Sequence, residues 1–280
     1  MIMEQNLQTC NELVAKFESV ITNPIIKEHE TYYTGVDLGT ACVVLVVMNE
    51  KYEPVAGAYE YSDVVKDGMI VDYFGAITLV KKLKAKLEEQ LGTQLLYAAS
   101  AIPPDTESLD GGAIKNVIQS AEFEITSILD EPTAANNVLK IKDGAIVDIG
   151  GGTTGISIIN NGKVVKVSDE ATGGTHLTLT VAGAMHKTFD EAELFKRNKA
   201  HHQELLPILK PVIEKISTII TNQVSGYNVN DLYLVGGTAC LAGIEKIIEK
   251  RTGITTHKPI NPMFVTPLGI AKSCTDIITV

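Results

Sequence analysis

Apolar residues at Leu7, Cys10, Val14, Phe17 and Ile21 recur at steps of three and four, which predicts an amphipathic helix that Asn23-Pro24 ends. Such a stripe faces a core of its own domain or docks on a partner. The period then shortens to that of strands: YYTGVDL, CVVLVVMN and PVAGAYEY, the last two joined by Glu50-Lys51-Tyr52-Glu53 as a hairpin connection. A helix is predicted over FGAITLVKKLKAKLEEQLG, closed by Gly92, followed by the buried strand LLYAASAIP. The helix GAIKNVIQSAEF, the strand ITSILD and a helix opened by Pro132 in PTAANNVLK complete an alternation that marks the α/β class.

At Gly144 the pattern starts again. AIVDIGGGTTGISIINNGKVVKVSD reads as strand, glycine turn, strand, Asn-Asn-Gly hairpin and strand, repeating the order of GVDLGTACVVLVVMN. Asp37 and Asp148 are 111 residues apart, far beyond the roughly 20–50 residues of a solenoid unit, so the repeat is a domain duplication. The second copy continues with helices near THLTLTVAGAMHK, DEAELFKR and ELLPILKPVIEKISTIITNQV, the strand DLYLVGG and a helix over 241–251. Pro267-Leu268-Gly269-Ile270-Ala271 opens a last helix directed back to the first lobe. The expected domains are an N-terminal helical arm over 1–31, lobe I over 32–143 with the returning segment 267–280, and lobe II over 144–266.

A chain of 280 residues with 45% hydrophobic content has enough apolar material for two cores, since single cores rarely exceed roughly 250–300 residues. With 24 basic and 34 acidic side chains, its net charge of −10 argues against nucleic acid and anionic membrane as partners. No run of about 18 apolar residues is present, and MIMEQNLQTC lacks the basic start of a signal peptide, so a cytoplasmic protein is expected. Cys10, Cys42, Cys240 and Cys274 are widely spaced and read as reduced, mostly buried thiols.

The chemistry concentrates in the repeat. Without Cβ atoms, Gly150, Gly151 and Gly152 let a turn bring several backbone N–H groups onto one anion, a phosphate cradle. Thr153 and Thr154 can add hydroxyl donors, and Asp148 at the strand end can face magnesium through its waters. The spacing Gly150, Gly152, Gly155 also satisfies a dinucleotide fingerprint, but that motif opens a helix, whereas Gly155 runs into the strand ISIIN. A P-loop motif is absent. In the first copy, Gly39 and Thr40 follow Asp37, so two glycine turns could clamp one polyphosphate. Two carboxylates converging there need a cation to stay ionised.

Five segments in order resemble the superfamily of actin, sugar kinases and DnaK-type chaperones over roughly residues 32–275: GVDLGT, ILDEPTAA, VDIGGGTTGIS, YLVGGTACLAGIE and PLGIAKS. The resemblance implies a two-lobed actin-like ATPase fold of duplicated ribonuclease-H-like domains, with ATP or ADP and magnesium bound between Asp37 and Asp148. It places phosphate on Gly39, Thr40, Gly150, Gly151, Gly152, Thr153, Thr154 and Gly174, and adenosine on Gly236, Gly237, Thr238, Glu193 and Lys196. It makes Glu131 the acid that orients the attacking water, since phosphoryl transfer needs mainly positioning and charge stabilisation.

VVKDGMIVDYFGAIT, ILDEPTAANN, VDIGGGTTGISI and DEATGGTHLTLTVAG are similar, more narrowly, to the chaperone-like proteins of ethanolamine-utilisation operons. That likeness implies an ATP-gated switch or magnesium-dependent ATPase of slow turnover, with an enzyme or shell protein of a bacterial microcompartment as client. Both monomer and homodimer are compatible with it. Compared with DnaK-type chaperones, no peptide-binding domain follows Val280 and their phosphate-contacting lysine has no counterpart, so peptide clamping is not expected. The same fold also serves small-molecule kinases, for which Asp105 and Asp110 are the available bases, and filament-forming actin-like proteins.

Other polar residues have plainer readings. His201-His202 lacks metal-ligand partners and reads as a solvated helix start, and His176 beside Gly173-Gly174 as either a phosphate contact or a turn or cap residue. Lys81, Lys82, Lys84 and Lys86 followed by Glu88-Glu89 read as an exposed helix face.

Overall fold

Extended β-branched and apolar runs build a meander of β1 (Tyr33–Leu38), β2 (Cys42–Met48) and β3 (Pro54–Tyr61), preceded by α1 (Ile2–Thr22). The computed structural model describes residues 2–27, 30–66, 69–102 and 110–275. Asp105 lies outside them, and only the backbone of Asp110 is described. After a short hairpin of β4 (Val65–Lys66) and β5 (Met69–Ile70) come α2 (Tyr73–Leu91), β6 (Tyr97–Ile102), α3 (Asp110–Ser120), β7 (Glu124–Asp130) and α4 (Glu131–Leu139). The sheet order is β3-β2-β1-β6-β7, with β1, β6 and β7 parallel.

The second half repeats this. A meander of β8 (Gly144–Ile149), β9 (Thr154–Asn160) and β10 (Lys163–Glu170) leads to α5 (Gly174–Met185), α6 (Phe189–Arg197), α7 (His202–Val224), β11 (Asp231–Val235), α8 (Ile244–Thr252) and β12 (Thr255–His257). Its sheet runs β10-β9-β8-β11-β12, again with the last three parallel. The last element among the described residues is α9 (Val265–Ala271). By internal contacts it divides into two compact units, Met1–Lys140 with Phe264–Val280, and Ile141–Met263.

Register makes the duplication quantitative. Asp37 lies opposite Val44 and Tyr33 opposite Met48, while Asp148 lies opposite Gly155 and Gly144 opposite Ile159. One offset maps all four residues, so both aspartates occupy the same place, one residue before the end of the first strand. A slip of one residue would have turned one of them to the other face of its sheet.

In the first unit, α2 is started by Asp72, whose Oδ1 accepts from the Gly75 N–H at 2.9 Å, and is ended by Gly92 in the left-handed region. Ala76, Leu79, Val80, Leu83, Leu87 and Leu91 are its buried face. The expected lysine-rich exposed face is interrupted: Lys84 is buried, and its Nζ donates to the carbonyls of Ala121 and Glu122 while lying over the Phe123 ring. Those carbonyls at the end of α3 need donors, and a long lysine reaches them. The N-terminal helix packs into this unit through Cys10, Val14, Phe17 and Val20, with Phe17 edge-on to Phe264 at 5.0 Å. Helices α4 and α9 meet backbone to backbone, since a Cβ on Gly269 would lie 1.7 Å from the Ala134 carbonyl oxygen.

The second core gathers Val147, Ile149 and Ile156 under Leu205, Leu209, Ile213, Ile216 and Ile220 of α7. No disulfide joins the cysteines; Cys10 and Cys274 are buried, which pushes their thiols up to about 12 and about 11. Among the described residues no helix is long and apolar enough to cross a membrane.

Candidate functional site

In the second unit the turn Gly150–Thr153 joins β8 to β9, and two other segments close on it. The N–H groups of Gly174 and Thr175, at the start of α5, donate to the carbonyls of Gly150 (2.9 Å) and Gly151 (2.7 Å). Thr175 Oγ1 donates to Gly151 O at 3.0 Å and Thr238 Oγ1 to Gly150 O at 2.8 Å. The Gly150 N–H closes the turn on Thr153 O at 3.0 Å. The protein's donors therefore hold the carbonyls of the turn, and among the described residues no backbone carbonyl accepts from the N–H groups of Gly151 and Gly152. A turn fixed by its carbonyls presents its amides outward, which is the geometry of an anion nest.

Space around this turn is reserved. A Cβ on Gly174 would come within 2.5 Å of Thr238 Oγ1. Gly236, at φ +90°, adopts a backbone suited to glycine, and a Cβ there would lie 2.3 Å from Asp148 Oδ1. Asp148 pairs with Val235 across β8 and β11, so its carboxylate and the Gly236 turn share the carboxyl edge of the parallel strands, where open α/β sheets bind ligands.

Helix α6 brings Glu193 and Lys196 to the same place. Lys196 Nζ donates to Gly174 O (3.1 Å) and Thr178 Oγ1 (2.7 Å) and pairs with Glu193 Oε2 at 2.7 Å. Thr178 holds its hydroxyl against Glu193, and Arg197 Nε reaches Glu193 Oε1 at 2.8 Å. Burial pushes the Glu193 carboxyl up, but the charges and hydrogen bonds of Lys196, Thr178 and Arg197 outweigh it and hold the group below its usual range. Burial lowers the Lys196 ammonium despite the attraction of Glu193.

In the first unit, Asp37 is the last residue but one of β1, and Gly39 and Thr40 form the turn after the strand. Glu131 opens α4 directly after β7, which runs parallel to β6 and, through it, to β1, so both acids lie at the carboxyl edge of one sheet. The preceding Asp130 caps that helix: its Oδ1 accepts from the Thr133 N–H at 2.8 Å and its Oδ2 from Thr133 Oγ1 at 2.7 Å.

Two expected roles are corrected. Thr154 is buried and its hydroxyl hydrogen goes to Thr172 O at 2.6 Å, so it braces β9 instead of offering a donor at the turn. His202 is not solvated: only 4% of it is exposed, and it bonds the Lys196 carbonyl and the Ala242 N–H. His201 pairs with Glu204 at 2.7 Å, and His176 Nδ1 accepts from the Gly173 N–H at 3.4 Å, a cap contact. Thr175, Thr178 and His202 were missed as site-building residues because each acts through another residue, a role with no local motif. Among the described residues no three His, Cys, Asp or Glu side chains gather to hold a metal directly. A cavity of about 320 Å³, lined by Asp143, Gly144, Asn160, Tyr227, Asn230 and Asp231, opens at the opposite end of β8 and touches none of these residues.

Comparison with known proteins agrees with this architecture. The family of the type IV pilus assembly protein PilM matches residues 117–267. The ethanolamine utilization protein EutJ of Salmonella typhimurium is 43% identical over 242 residues, 86% of this chain and 85% of that protein. The crystal structure of EutJ from Carboxydothermus hydrogenoformans superposes with a TM-score of 0.90 at 43% identity, covering 95% of this chain and 98% of that one. MreB5 of Spiroplasma citri, solved bound to ADP, shares the fold with a TM-score of 0.67 at 19% identity, over 85% of this chain and 94% of its own.

Proposed function

Because this chain belongs to the EutJ family of ethanolamine utilization proteins and has the actin-like ATPase fold, we propose that it is an ATP-binding switch with slow, magnesium-dependent hydrolysis, acting on an enzyme or shell protein of an ethanolamine-utilisation microcompartment in the cytoplasm. The observation that carries this reading is the repeated register: each unit sets an aspartate one residue before the end of its first strand, and a glycine turn follows at the carboxyl edge of its parallel strands. The glycine cradle at Gly174 and Gly236, with tethered carbonyls at Gly150 and Gly151, fits a polyphosphate.

In this reading Gly39, Thr40, Gly150, Gly151, Gly152, Thr153 and Gly174 take the phosphates. Asp37 and Asp148 face magnesium through its waters. Gly236, Gly237, Thr238, Glu193 and Lys196 line the adenosine. Glu131 holds the water that attacks, accepting its proton in a hydrogen bond. Magnesium, when bound, neutralises phosphate charge and keeps both aspartates ionised.

Incubating the purified protein with magnesium and ATP tests the reading. Phosphate released without an acceptor is expected; ADP formed only with a small-molecule acceptor would replace the switch by a kinase, and pelletable filaments by a polymer. Client capture that depends on ATP, measured with purified shell and enzyme components, tests the microcompartment role.

A further inference from the structure

The nucleoside end of the site just proposed has two walls that come from separate stretches of chain: α6 with Glu193 and Lys196, and the turn Gly236–Thr238 after β11. One side chain bridges the segments that carry them. His202, the first residue of α7, donates from Nε2 to the Lys196 carbonyl at 3.0 Å and accepts at Nδ1 from the Ala242 N–H at 3.0 Å. These partners dictate the tautomer. A carbonyl can only accept and an amide N–H can only donate, so Nε2 carries the proton and Nδ1 is bare. The next carbonyl back, Leu241 O, is held by Lys258 Nζ at 3.0 Å, and Lys258 pairs with Glu245. The segment following Thr238 is thus held on both sides, by His202 at its amide and by Lys258 at its carbonyl.

Building on the nucleotide reading above, we propose that His202 is a positioning residue, a neutral strut that sets the spacing between the two nucleoside walls without touching the phosphate turn. It is anchored for that role: α7 continues into the core through Leu205 and Leu209. The phosphate turn keeps ties from outside these two walls, the Gly174 and Thr175 amides on the carbonyls of Gly150 and Gly151, so loss of the strut leaves it held.

The test is to titrate wild type, His202→Ala, His202→Asn and His202→Gln with ATP, AMP and inorganic tripolyphosphate in magnesium. Asn can keep the acceptor facing Ala242 and Gln the donor facing Lys196, so each conservative variant retains one bond. His202→Ala should weaken ATP and AMP by about tenfold, the worth of one or two buried hydrogen bonds, with tripolyphosphate unchanged. The Asn and Gln variants should fall between it and wild type. Where the Ala variant does not fold, the Asn and Gln variants decide by the same split. Wild-type affinity for ATP in all three variants, or equal losses for ATP and tripolyphosphate, would overturn the proposal while leaving the nucleotide site standing. A wild-type protein that ignores all three ligands would instead remove the site reading beneath it.

Discussion

The two units carry one sheet topology and one hairpin register, but they hold the turn after the first strand differently. In the second unit the Gly150–Thr153 turn is tied by α5, by Thr238 and by its own closing bond. In the first unit the turn after Asp37 receives the Ser62 N–H at Ala41 O, a longer bond of 3.3 Å. Around it, this unit spends its close packing elsewhere, on α1 against the sheet and on α4 against α9. The difference teaches that duplication fixed where the carboxylates stand, whereas rigidity was added locally by segments that the two units do not share. The second unit presents a prepared cradle, and the first a plainer turn with an acid at the head of α4.

The largest effect expected is on the first unit's packing. Phe17→Ala removes a fully buried ring and should lower stability to denaturant by roughly 3–5 kcal/mol, while hydrogen exchange in β8 to β11 keeps its protection. Equal loss of protection in both units would break the comparison. Next is Gly236→Ala, where the left-handed backbone alone costs about 1–3 kcal/mol and the Cβ collides with Asp148. Thermal unfolding should show the loss, and ATP affinity should fall with it. Thr238→Val removes one brace of the cradle and should cost about 0.5–1.5 kcal/mol, read in the same unfolding measurement.

The smallest effect is pH dependence. Burial, aided by the charges of Lys199, Lys258 and His201, lowers the His202 pKa against the pull of the Lys196 carbonyl. With the unfolded imidazole titrating near about 6.5, its contribution is complete above that pH and is lost as pH falls toward the lower folded value. Unfolding measured across this window should show a shallower acid-side decline in His202→Gln than in wild type; parallel curves would contradict it.

Much of this was legible in the chain. The fold class followed from strand and helix periods, and the turn chemistry from GGGT after AIVDI, because glycine and a strand-end aspartate have strong local preferences. The inward turn of Lys84 and the burial of His202 were not legible, since both answer carbonyls or amides brought near only by the tertiary fold. The short strand β12 escaped because three residues carry no period. Thr154 was assigned by type and proximity, and only the neighbouring Thr172 carbonyl decided where its single hydrogen goes.

Calorimetric titration with magnesium-ATP of wild type, Asp37→Ala and Asp148→Ala tests the central claim most directly, that the two matched turns serve a single ligand. The account predicts one ATP per chain in wild type and a loss of more than about tenfold in each variant, a charge-assisted effect in both. Unchanged affinity in Asp37→Ala, or two independent binding events in wild type, would contradict it.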